Sequence, residues 1–133
     1  MDLAWRLMHR WARAVNALDA DGIAALYTAD ARLDVLSGWS DEVVGASAIG
    51  QFYVDHVVSD RPFHIVPNSL GFVMVADDHL VFRLRFRGTG MTDNPRVEEG
   101  RGLTVLTLDG GKITHQWYAE WYAERYEWYV ENR

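Results

Sequence analysis

The chain is expected to fold as an α+β domain, with helices from its first half laid over one face of a sheet built from its second half. Two observations lead there. Over residues 2–18 and 45–58 apolar side chains recur at three- and four-residue spacing, the period of a helix. From residue 63 onward the pattern changes to alternation, and the stretch GLTVLTLDGGKITHQWYAEWY, Gly102 to Tyr122, forms two strands about a tight turn.

Each element follows from its residues. In residues 2–18, Leu3, Leu7, Trp11, Ala14, Val15 and Leu18 make an apolar stripe, while Arg6, Arg10 and Arg13 fall largely on the other side. Asp19-Ala20-Asp21 breaks that helix and caps a short second one, Gly22 to Tyr27, carrying Ile23, Leu26 and Tyr27. Thr28 to Asp30 is predicted to turn, and Ala31 to Leu36 to be the first strand. Gly45 to Val58 is the third helix, with Ile49, Phe52, Tyr53 and Val57 as its stripe. Arg61-Pro62 opens a strand at FHIV, and Pro67-Asn68 bends the chain. Leu70–Ala76 should pair with Leu80–Arg87 across Asp77-Asp78-His79. In the second of these, Phe82, Leu84 and Phe86 point one way and Arg83, Arg85 and Arg87 the other. A loop from Gly88 to Pro95 leads to the closing hairpin, where Asp109-Gly110-Gly111 supplies residues that tolerate positive φ. Its return strand carries His115, Trp117 and Ala119 on one face and Gln116, Tyr118 and Glu120 on the other.

The totals exclude several functions. At 133 residues the chain is expected to be one domain, 1–133, with a core of ordinary size. A net charge of −6 without any Lys/Arg run argues against nucleic acid as a partner. With no cysteine, disulfides and thiolate chemistry are out. No apolar run approaches the roughly 18 residues of a membrane span. The opening MDLAWRLMHRWARAV lacks the basic start, apolar run and small-residue cleavage site of a signal peptide, so a soluble cytoplasmic protein is the expectation. No His/Asp/Glu set has ligand spacing, so neither metal nor other cofactor is expected. Gly88-Thr-Gly90 has no helix behind it and is not a phosphate loop.

Four stretches together resemble the SnoaL-like polyketide cyclase branch of the nuclear-transport-factor-2-like superfamily. RWARAVNALDADGIAALYTADARLDV, from Arg10 to Val35, is similar to the family's opening helices and first strand. GASAIGQFYVDHV is similar to its third helix, FHIVPNSLGFVMVADDHLVFRLRF to its strand with a His followed by a hairpin, and GGKITHQWYAEWY to its final strand. The resemblance covers roughly residues 5–125. It implies a cone-shaped curved antiparallel sheet wrapped around the N-terminal helices and enclosing an apolar pocket, commonly in a homodimer. It implies also a cyclase, isomerase or lyase of natural-product biosynthesis.

The resemblance carries over unevenly. Where ketosteroid isomerases have a catalytic Asp and a helix-one Tyr, this chain has Val35 and Trp11, with Asp34 one residue away. His64 matches the acid/base His of scytalone dehydratase-like members, whose helix-one Asp falls here on Asn16 and whose second His falls near Arg101. Limonene-epoxide hydrolases use an Asp-Arg-Asp set, and RFRLRFRG supplies the arginines without the Asp. The last-strand acid of SnoaL-type cyclases corresponds to Glu120.

From these follows an expected site. His64 moves the proton, because imidazole accepts and donates protons near neutral pH. Asp34 or Glu120 assists as the second acid/base group. Trp11, Asn16, Tyr27, Trp39, Tyr53, Trp117 and Tyr118 bind an apolar oxygenated substrate through stacking and hydrogen bonds. Each has a plainer reading: His64 as a core residue bonded to a carbonyl, Asp34 and Glu120 as solvated strand residues, the aromatics as core. His9, His56 and His79 read as surface or turn residues, and His115 lines the pocket only if its strand face is inward. Two rivals remain open. One is a ligand-binding or dimeric interaction module without catalysis. The other is an epoxide hydrolase using Asn16 with Asp34.

Overall fold

The computed structural model describes residues 2–36, 42–58, 63–88 and 99–122. Trp39, most of the loop 88–95, and the aromatics Tyr126, Trp128 and Tyr129 lie outside the described residues.

Helix α1 spans Asp2–Asn16 and buries Leu7, Met8, Trp11, Ala12 and Val15. Leu3 and Leu18, expected in its stripe, are 63% and 42% exposed. The helix ends two residues earlier than the periodicity suggests because Leu18 takes a left-handed conformation, φ 55. Its N–H reaches Val15 O at 3.1 Å and that of Asp19 reaches Ala14 O at 3.0 Å, the paired bonds of a Schellman cap. Asp19 then caps helix α2, Ala20–Ala24, accepting from Gly22 N at 2.9 Å.

The expected second helix ran on to Tyr27, but Tyr27 opens strand β1, Tyr27–Val35. Sheet pairing overrides the local pattern, since Ile113 N donates to Leu26 O at 2.9 Å and Tyr27 lies opposite Ile113. The predicted turn at residues 28–30 is therefore strand, with an irregular register before Arg32. A two-residue strand β2, Val43–Val44, was not expected. Helix α3, Ala46–Val58, follows Gly45 at φ 101. Then come β3 (Phe63–Ile65), a 3-10 turn at Pro67–Ser69, β4 (Gly71–Val75), β5 (His79–Gly88), β6 (Glu99–Asp109) and β7 (Lys112–Tyr122). The expected hairpins hold: Val75 faces Leu80, and Asp109 faces Lys112 across Gly110 and Gly111, both at positive φ.

The sheet runs β2-β1-β7-β6-β5-β3, with β4 also pairing along β5. All pairs are antiparallel except β1 with β7, which is parallel, so the first long strand is zipped to the last. The fold is α+β, a curved sheet whose inner face is covered by the helices. Leu33, Phe82, Leu84, Phe86, Leu106 and Ile113 fill that inner face against Trp11, Ile23 and Ile49. Among the described residues no helix is long and apolar enough to cross a membrane.

One irregularity on β7 decides which side chains meet the helices. His115 faces Thr107 while Ile113 faces Leu108, so a bulge at Thr114 separates them. Strict alternation from the buried Ile113 would turn His115 and Trp117 inward. The extra residue instead sends Gln116, Tyr118 and Glu120 inward, and all three are buried.

Candidate active site

A narrow cavity opens between α1, α3 and the inner face of the sheet. Trp11 and Val15 reach it from α1, Phe52, Tyr53 and His56 from α3, Val35 and Ile65 from β1 and β3, and Tyr118 and Glu120 from β7. It is small, with room for about one water molecule. Among the described residues its walls are apolar except at one end, where His56 and Glu120 meet.

The His56 side chain is only 9% exposed and that of Glu120 1% exposed. His56 Nε2 lies 3.5 Å from Glu120 Oε1, and the Tyr118 hydroxyl donates to Glu120 Oε2 at 3.2 Å. Each carboxylate oxygen thus has its own neighbour, which fixes the plane of the carboxylate. His56 is in turn stacked on Phe52, with rings 8° from parallel and 5.8 Å apart. Two groups able to exchange protons therefore converge in an almost dry cavity, the arrangement acid/base chemistry requires.

Glycine makes this approach possible. Gly102 lies opposite Glu120, and a Cβ there would stand 2.9 Å from the Tyr118 hydroxyl and 3.2 Å from Leu84. Glycine at this position leaves room over β6 for the Tyr118 hydroxyl beside Glu120.

Beneath the cavity lies a fully bonded polar chain. Trp11 Nε1 donates to the Tyr27 hydroxyl at 3.0 Å, and Tyr27 donates to Gln116 Oε1. Tyr53 donates to the same oxygen at 3.1 Å. Gln116 Nε2 donates to Thr104 Oγ1 at 2.8 Å, whose hydroxyl donates to Trp117 O at 3.0 Å. Burial pushes both phenols well above the ordinary tyrosine value, more than hydrogen bonding lowers Tyr27; neighbouring Tyr27, Tyr118 and Glu120 push Tyr53 further. Both remain neutral donors, and they hold Trp11 and Tyr53 edge to face at 5.5 Å.

The expected site residues separate into those the cavity contains and those it does not. Trp11, Tyr53, Tyr118 and Glu120 line it. Tyr27 is buried behind the wall rather than in it. Asn16 does not face the cavity. Its amide clamps β3, donating to Ile65 O at 2.9 Å and accepting from Ile65 N at 2.6 Å.

His64 is corrected: it is exposed on the outer face, opposite Arg87, because Ile65 turns inward and a strand alternates. Asp34 is corrected likewise, since its neighbours Leu33 and Val35 are the buried ones. On the outer face it accepts from or shares a proton with His115 Nε2 at 2.6 Å. Trp117, expected in the substrate pocket, stacks on His115 at 3.7 Å on that same outer face. Asn16 and Asp34, the pair an epoxide hydrolase would need, are thus employed on different sides of the sheet. Trp39 lies outside the described residues.

His56 was missed as a surface residue. The signal was present: Ile49, Phe52, Tyr53 and His56 continue one helical stripe. No group of three or more His, Asp or Glu side chains converges among the described residues as a metal ion would need.

Solved structures with the same fold carry varied names. A candidate polyketide cyclase from Xanthomonas campestris superposes with a TM-score of 0.72 at 17% identity, over 97% of this chain and 96% of its own. An epoxide hydrolase from M. tuberculosis gives 0.66 at 11% identity, over 93% and 85%. A protein with a ketosteroid isomerase-like fold from Catenulispora acidiphila, crystallised with trimethylamine, gives 0.66 at 18% identity, over 84% and 82%. At such identities the likeness establishes the fold alone. No curated protein sequence matches the chain. The family model for the SnoaL-like domain, however, matches residues 8–116, from the middle of α1 to the buried Gln116 of β7, and the chain belongs to that family.

Proposed function

We propose that the protein is a cofactor-independent acid/base enzyme acting on a small, apolar, oxygenated natural-product intermediate, with Glu120 and His56 as its proton-transfer groups. The observation that carries this reading is their convergence, with Tyr118, at the one polar end of an apolar cavity. Glu120 removes a proton from a carbon next to a substrate carbonyl. The C–H electron pair moves into the carbonyl as an enolate, and the proton returns from Glu120 or His56 to a second carbon or to oxygen. Isomerisation, cyclisation and dehydration all begin with that step. Trp11, Phe52 and Tyr53 hold the substrate's apolar body against the acid, and correct positioning alone removes several kcal/mol of barrier. A substrate larger than water widens the cavity at Phe52, the partly buried ring of its α3 wall.

The proton step is measurable without the natural substrate. In D2O the protein is expected to accelerate deuterium exchange at the carbon beside the carbonyl of a small cyclic ketone, followed by NMR. Glu120→Gln should lower that rate by at least about a hundredfold, and His56→Phe by at least about tenfold. His64→Ala should leave it within a factor of about two, as expected for an outward residue. Ketone binding in the cavity without any exchange above buffer would sink the catalytic reading and leave a ligand-binding module.

A further inference from the structure

A second concave site lies on the opposite, outer face of the sheet, where the acid/base groups of the cavity play no part. The 3-10 turn, β4, β5 and β6 enclose a groove of about 440 Å³. Its polar lining is Arg83 and Arg85 from β5, Arg101 from β6, and Asn68 and Ser69 from the turn, with Val73 and Leu103 among its apolar walls. That volume falls within the range of small-molecule sites.

The charge arrangement is unusual for this chain. The protein is acidic, net −6, yet three cations share one groove. Arg85 lies directly opposite Arg101 in the ladder, and Arg83 is two residues along the same face of β5. Like charges placed directly opposite on neighbouring strands repel. Ordinary sheets offset such a pair with a carboxylate, but among the described residues none of these three arginines has one. All three are exposed, with the Arg83 guanidinium lying along Gly71 of β4. Strand geometry sets their Cα atoms about 5–8 Å apart, so three planar forks line one volume. Guanidinium forks match the paired oxygens of phosphate and carboxylate.

We propose that this groove binds a small polyanion, a molecule bearing two or more phosphate or carboxylate groups, held by Arg83, Arg85 and Arg101 with its apolar part against Val73 and Leu103. The ligand supplies the negative charge that these three arginines lack among the described residues. It is a small molecule rather than a protein surface because the site is concave and walled on both sides by apolar residues.

The test uses the full chain, with pyrophosphate and citrate as probes, titrated calorimetrically at about 0.15 M salt and followed by thermal melting. At least one should bind saturably, one per chain, with a dissociation constant at or below about 1 mM, and raise the melting temperature. Pyrophosphate binding more tightly assigns a phosphate ester, citrate a polycarboxylate. Arg101→Gln and Arg85→Gln should each weaken binding at least about tenfold, whereas Arg10→Gln, exposed on α1, should not. Arg101→Gln should melt no lower than the wild type, because it relieves repulsion, and should keep the ketone exchange rate. The proposal is overturned if neither anion saturates, if sodium chloride of equal ionic strength reproduces the effect, or if the Arg85→Gln/Arg101→Gln double variant binds as before. A poly-glutamate peptide binding where both small anions fail would also overturn it, in favour of an acidic protein partner.

Discussion

Three tyrosines near the cavity are chemically alike and serve different ends. Tyr118 holds Glu120; Tyr27 and Tyr53 converge on one oxygen of Gln116. Tyr27→Phe leaves Trp11 Nε1 without its acceptor in a dry core and should cost about 1–3 kcal/mol in denaturant melts. The phenols also set the alkaline limit. Their folded-state values lie above the ordinary 10.0, so they cost no stability below that pH. As pH rises past it the unfolded chain ionises first, and stability falls by up to about 1.4 kcal/mol per pH unit for each phenol until the folded-state value is reached. Melts between pH 9.5 and 11 should show a shallower slope for Tyr53→Phe. The polar end of the cavity was half legible: Glu120 stands in an aromatic run with Tyr118 two residues before it, and two residues along a strand share a face. His64 misled because FHIV does not say which of its residues faces inward. That was decided from outside the segment, by the Asn16 clamp on the Ile65 backbone.

Among elements, the helices and hairpins were legible wherever period and turn chemistry agreed. They were not where tertiary pairing overrode the local pattern, as at Tyr27, or where a bulge broke alternation, as at Thr114. The end of α1 is a case of mild local conflict. Leu18 sits in a left-handed cap position that glycine adopts freely, and it is largely exposed. Leu18→Gly is therefore expected to raise stability by about 1 kcal/mol, read from urea unfolding. The contact of α2 with α3 is the opposite case. A Cβ on Gly50 would run into the backbone oxygen of Ala20, so Gly50→Ala should cost about 1–3 kcal/mol and loosen the helix that carries His56. Hydrogen exchange along α3 would report that loosening, and unchanged protection would refute it.

At the scale of the molecule, the sheet serves two faces with one set of strands. Alternation on β5 and β6 gives Leu84 and Gly102 to the interior and Arg83, Arg85 and Arg101 to the exterior. Substitutions on the outer face should therefore leave the cavity's chemistry alone, and the ketone exchange rate of Arg101→Gln checks this directly. The sequence showed that division plainly in FRLRFR, but it held no sign of which strands would be neighbours. The parallel pairing of β1 with β7 joins segments some eighty residues apart, and no local pattern encodes it. That pairing has a consequence for how the protein is made. A ribosome delivers β1 early and β7 late, yet β7 belongs between β1 and β6 and brings Glu120 with it. Until synthesis has passed residue 122, β1 and β6 each present an open edge, and the cavity has no acid. A message cut short before that point would yield not a slightly weakened fold but a chain with two unmatched strand edges, a substrate for chaperones and proteases.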